Sequence, residues 1–116
     1  MAYMDCRYYK KIEDIMGEFI TGIISEEEVD KKVLEALYLE LAHPDENTEW
    51  LVNHYNSAAE ALHEWVENIE EAERLYAVSK KETAIFERFG YEGEARRIQE
   101  WAEEGIAHWR EEYAVR

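Results

Sequence analysis

The sequence predicts an all-α fold: a compact antiparallel helical bundle of four main helices plus one short helix, in a single domain spanning 1–116. Three observations predict it. The acids are 24 Glu against 4 Asp, which helices tolerate well. The only proline is Pro44, and three of the five glycines, Gly22, Gly90 and Gly93, fall near expected helix ends. Apolar residues recur at steps of three and four along most of the chain.

The first helix is expected over about 5–23. Tyr8, Ile12, Ile15, Met16, Phe19, Ile20 and Ile23 form one apolar face, Asp5 is placed to cap its start, and Gly22 marks its end. Ser25-Glu26-Glu27-Glu28 is a capping box that opens a second helix, with Val29, Val33, Leu34, Leu37 and Leu41 inward and His43-Pro44 as its stop. The turn Asp45-Glu46-Asn47-Thr48 leads into the stretch around which the rest is organised, a long central helix over about 48–78. There Leu51, Tyr55, Ala58, Leu62, Trp65, Ile69, Ala72 and Tyr76 follow alternating steps of four and three, a heptad seam. Such a rod is roughly 45 Å long. Ser79-Lys80-Lys81-Glu82 reads as a second capping box, opening a short helix with Ile85, Phe86 and Phe89 that Gly90 stops. The last helix, about 94–114, turns Ala95, Ile98, Ala102, Gly105, Ile106, Trp109 and Tyr113 inward.

With 47% apolar residues the chain has the means to build a core, despite a net charge of −15. That charge argues against direct binding to nucleic acid or to an anionic membrane, and favours a basic partner. The longest run free of Asp, Glu, Lys and Arg, Trp50–Ala59, is far short of the roughly 20 residues that span a bilayer. The early charges, from Asp5 and Arg7 to Glu13 and Asp14, leave no secretory apolar segment, and the lone Cys6 has no disulfide partner. A soluble cytoplasmic protein is expected.

The charge is uneven. Residues 25–78 hold fifteen acids against Lys31, Lys32 and Arg74, which is −12 of the −15. On the expected central helix Glu60, Glu64, Glu67 and Glu71 recur at i, i+4, i+7 and i+11 with no cation among them. Their rise resembles the spacing of phosphates along a nucleic-acid strand. One reading is a solvated face that keeps the protein soluble. The other is a docking face for a basic protein surface, which Glu35, Tyr38 and Trp50 complete as edge residues.

Glu60-Ala61-Leu62-His63 resembles the Glu-x-x-His ligand motif of ferritin-like di-iron proteins, in which paired motifs face into a bundle core. That resemblance implies a metal site on Glu60 and His63, with Glu104 and His108 as the second pair. The pair is spaced i, i+4 instead of i, i+3, and the heptad turns Glu60 and His63 away from the seam of Leu62 and Trp65. The expectation is therefore no metal and no cofactor. Glu67-Asn68-Ile69-Glu70 is similar to half of the magnesium-binding pattern of helical nucleotide pyrophosphatases, but no Asp follows Asp45 to supply the other half. No Gly-rich phosphate loop, Gly-x-Ser-x-Gly elbow or triad is legible, so no catalytic residue is assigned.

The expectation is a small protein-binding module that sets its acidic helical face on a basic surface of a partner, as an inhibitor or nucleic-acid mimic. In size and charge the chain is similar to small acidic phage-encoded inhibitors of host defence enzymes. A ferritin-like carboxylate/histidine bundle and a purely structural homo-oligomer joined through leftover apolar surface are the alternatives, and a homodimer is a possible assembly.

Overall fold

The computed structural model describes residues 6–55 and 57–115, with side chains through 112. Its regular elements are α1 (Arg7–Ile20), α2 (Glu26–Ala42), α3 (Thr48–Asn53), α4 (Ala58–Glu64), α5 (Ile69–Arg88) and α6 (Glu92–Val115). The described residues contain no strand, so the fold is all-α. None of their helices is long and apolar enough to cross a membrane. They form two compact helical units, one within 1–54 and one within 55–116.

In the first unit α1 and α2 pack as an antiparallel hairpin. Lys32 reaches Glu18 at 3.1 Å near the turn, and Arg7 reaches Glu40 at the far end. The turn is a Schellman motif. Gly22 takes φ +79°, the Ile23 amide donates to Glu18 O at 2.9 Å and the Gly22 amide to Phe19 O at 3.0 Å. The capping box at Ser25 forms as expected, with Glu28 N donating to Ser25 Oγ and Ser25 N to the Glu28 carboxylate. Cys6 holds the N-cap position of α1 without a side-chain cap, and Asp5 lies outside the described residues.

The expected inward face of α1 needs correction. Tyr8 and Ile15 are buried, but Met16, Phe19, Ile20 and Ile23 are exposed. The helix has more apolar circumference than α2 covers.

A polar node fastens the open end of this hairpin. Glu40 is buried at 5% exposure, and Arg7 Nε donates to both its oxygens at 3.0 and 2.8 Å. Thr48 Oγ1, also buried, donates to Glu40 Oε2 at 3.5 Å and accepts the Asp45 amide at 2.8 Å. The bidentate cation compensates a carboxylate that water does not reach. One acid on α2 thereby fixes the start of α1 and the entry to α3.

In the second unit α5 and α6 form a long antiparallel hairpin, and α4 lies on both. Gly90, at φ +88°, makes their turn, with the Tyr91 amide donating to Phe86 O at 2.9 Å. Leu62, Ala72 and Ile106 meet in a buried cluster, with Val66, Ile69, Leu75, Tyr76 and Trp109 packed against it. Gly105 lets α4 come close to α6. A Cβ there would stand 3.1 Å from both Leu62 Cγ and His63 Nε2. The inward positions Ala95, Ile98, Ala102, Gly105 and Ile106 are buried as expected, whereas the Tyr113 side chain lies outside the described residues.

The expected 48–78 rod is three helices. The first interruption follows Asn53, the last residue of α3, and α4 starts at Ala58; Asn53 and Ser57 on either side favour turns. The second is Trp65–Asn68. Asn68 takes extended dihedrals and accepts the Glu71 amide at 2.8 Å, so a strong N-cap restarts the helix there.

Two further expectations fall with the rod. Trp65, read as a seam residue, caps the C-terminus of α4 and is 72% exposed. The capping box at Ser79 does not open a helix, because α5 runs through it. Ser79 Oγ donates to Tyr76 O at 2.7 Å, and Glu82 turns inward at 2% exposure. There Glu82 accepts the Tyr55 hydroxyl and, at 2.9 Å, the Ala58 amide. The first turn of α4 is thus capped by a side chain from α5 and not by its own Ser57.

Candidate functional site

The second interruption governs the acidic face. Glu60 and Glu64 lie on α4, Glu67 in the connection, and Glu71 in the first turn of α5. The four carboxylates therefore do not form a straight row on one helix, which corrects the sequence reading. Glu64 and Glu67 are exposed, and Glu60 is half-buried. None of these three forms an ion pair among the described residues. Glu71 differs, since Arg74 stands 3.9 Å from it.

Trp65 lies within this set, one residue after Glu64 and two before Glu67. Sequence reasoning misassigned it to the core because an unbroken heptad makes it a seam residue. The signal against that assignment was Asn68, a good N-cap three residues on. An indole open to solvent, close in the chain to carboxylates without a cationic partner among the described residues, combines apolar surface with negative charge. That arrangement suits lysine or arginine side chains, through both charge and the ring face.

The other expected docking residues, Glu35, Tyr38 and Trp50, belong to the first unit. Glu35 is exposed and Tyr38 partly so, both on α2. Trp50 on α3 is half-buried, stacked on His54 at 4.6 Å and met edge-on by Tyr9 at 6.3 Å. It is a half-buried packing residue.

The four residues of the metal reading are not assembled. Among the described residues no three His, Cys, Asp or Glu side chains come together to hold an ion. The His63 ring lies against Trp101 at 5.2 Å, with Nε2 2.9 Å from the Trp101 carbonyl. His108 faces Glu112 at 3.9 Å on its own helix.

The titration of Glu73, Arg110 and Arg7 is shifted. The Arg110 guanidinium donates twice to Glu73, at 2.7 and 2.8 Å, and holds that carboxyl below its ordinary value; Glu73 raises Arg110 in return. The hydrogen bonds to Glu40 likewise raise Arg7. All three shifts belong to ion pairs that tie helices together. No protein-family model, curated protein or solved structure matches the chain.

Proposed function

We propose that this protein is a binding module that docks on a basic surface of another protein through the α4–α5 connection. The observation that carries the reading is Trp65, 72% exposed among Glu60, Glu64 and Glu67, which have no cationic partner among the described residues. Charged residues at such a surface set encounter rate and salt dependence, and a central aromatic supplies most of the affinity. Where the basic surface is one that ordinarily holds nucleic acid, the protein acts as a competitor and hence as an inhibitor. The reading takes it to act in the cytoplasm, where the lone buried Cys6 stays reduced.

The test begins with capture from lysate and elution on a salt gradient, followed by titration with the purified partner. Changing Glu60, Glu64, Glu67 and Glu71 together to Gln keeps helix propensity and shape while removing charge. The four-Gln variant should stay folded, with a melting temperature at or slightly below that of wild type because Glu60 and Glu71 lie in first helical turns, and bind far more weakly at low salt. Trp65→Ala should weaken binding at every salt concentration, and duplex DNA should displace the wild-type protein. A four-Gln variant that binds as tightly as wild type at low salt refutes the reading.

A further inference from the structure

We infer that a cavity between α1 and α2 binds a small organic monoanion, a carboxylate carried on an apolar body. The cavity has a volume of about 400 Å³, within the range of small-molecule sites. It is formed within the first unit and shares no residue with the α4–α5 connection, so it stands or falls apart from the docking reading.

The cavity follows from two helical stripes. Ala36, Leu39, Glu40 and His43 lie along α2 at i, i+3, i+4 and i+7, and Arg7, Tyr8 and Lys11 lie within about one turn of α1. Ala36 contributes only a methyl group, which leaves room between the helices that a larger side chain would take. Tyr8 and Ala36 are buried and Leu39 is 55% exposed, so the apolar lining joins covered side chains to a solvent-facing one. An apolar ligand body removes that leucine surface from water.

Charge selects the head group. Arg7 and Glu40 satisfy one another, Arg7 Nε donating to both carboxylate oxygens at 3.0 and 2.8 Å while another guanidinium nitrogen donates to the His43 carbonyl. That part of the wall is therefore set before a ligand arrives. Lys11 is exposed and has no ion-pair partner among the described residues. With His43 counted neutral, the described lining holds two cations, Arg7 and Lys11, against the one carboxylate of Glu40, a net +1 in a chain of −15. A ligand carboxylate finds its partner in Lys11, whereas an ammonium meets an uncompensated cation. Glu40 in the wall and Asp45, 3.5 Å from Arg7, oppose a second negative charge, which favours a monoanion over a phosphate.

The test is a titration of the isotope-labelled full chain, followed by amide NMR, with three probes that share one apolar body: phenylbutyrate, its primary amide and phenylbutylamine. Phenylbutyrate should shift the amides of Lys11, Ala36, Leu39 and His43 with a Kd on the order of 1 mM, as its small size dictates. The primary amide should bind about threefold more weakly, and the amine more weakly still. Lys11→Gln should erase the advantage of the carboxylate over the primary amide. Leu39→Asp, at an exposed position, should keep the helical circular dichroism spectrum and abolish binding of both. No shift at these four positions up to about 10 mM phenylbutyrate overturns the inference, as do shifts confined to other residues. So does equal binding of the three probes, or a carboxylate preference that survives Lys11→Gln.

Discussion

Tyr55→Phe removes a single oxygen and asks whether Glu82 holds α4 onto the rest of its unit. The hydroxyl donates to a carboxylate that is 2% exposed, so water has little access to replace it. A hydrogen bond to such a group contributes about 1.5–3 kcal/mol net. The ring keeps its edge contact with Phe86, at 5.2 Å and 67°, so no cavity opens. The Ala58 amide still donates to Glu82. The expected loss is therefore about 2 kcal/mol, the net contribution of a hydrogen bond to a buried carboxylate. Urea unfolding reads the total. Native-state hydrogen exchange reads its distribution: amides of α4 should lose protection first, because the 55–58 segment is anchored there, while mid-α5 amides should change only with the global stability. Glu82→Gln serves as the companion variant, since it keeps the volume but leaves one acceptor oxygen for two donors. A loss below about 0.5 kcal/mol for Tyr55→Phe, or unchanged exchange in α4, refutes the anchoring role.

Three other outcomes follow from the same packing. Leu62→Ala should cost about 2–5 kcal/mol because it empties the α4–α5–α6 cluster, whereas Trp65→Ala should stay within about 0.5 kcal/mol; equal melting shifts would put Trp65 back in the core. Arg7→Met should cost about 1–3 kcal/mol by leaving Glu40 buried without its cation, a discounted figure because the guanidinium is itself half exposed, and urea unfolding measures it. Glu73 should titrate below the ordinary 4.5 in carboxyl carbon NMR and return to it in Arg110→Met. Because its folded value is lowered, the stability it contributes is complete above the ordinary carboxylate range and is lost as pH falls through the lowered value.

Much of the helical content was legible because it is local. Ser25 with Glu28 caps α2, Gly22 and Gly90 end α1 and α5, and the small and apolar residues of α6 repeat on one face. The failures share a cause: a periodic pattern was read through its interruptions. The heptad from Leu51 to Tyr76 is real as a list of apolar positions, and Leu51, Leu62 and Ala72 are indeed buried. Periodicity does not reveal that Asn68 restarts the helix, nor that α4 takes its cap from a glutamate eighteen residues beyond its end. Ser79–Glu82 has the spacing of a capping box but sits in mid-helix, because Glu82 finds its donors on Tyr55 and Ala58 instead. Long-range side-chain partners of this kind decide helix ends and leave little trace in a local window.

The same partners show that a net charge of −15 does not act as one field. Glu40 and Glu82 are interior groups with dedicated donors, and Glu18, Glu73 and Glu94 are held by Lys32, Arg110 and Arg97. Screening limits the remaining charges to about 8 Å at physiological ionic strength, so those near a contact matter and the total does not. On an unbroken helix, Glu60 to Glu71 would stand in one line at a spacing like that of phosphates, and mimicry could rest on that regularity. Dividing the set among α4, the connection and α5 removes the regular line but places an indole within it. On the proposed reading, recognition would depend on a cationic surface with room for Trp65, and competition with nucleic acid would follow from occupying the same cations, without reproducing a strand. A partner whose affinity for this protein falls with salt but is indifferent to Trp65→Ala would mean that charge alone suffices, and the indole would then be incidental to docking.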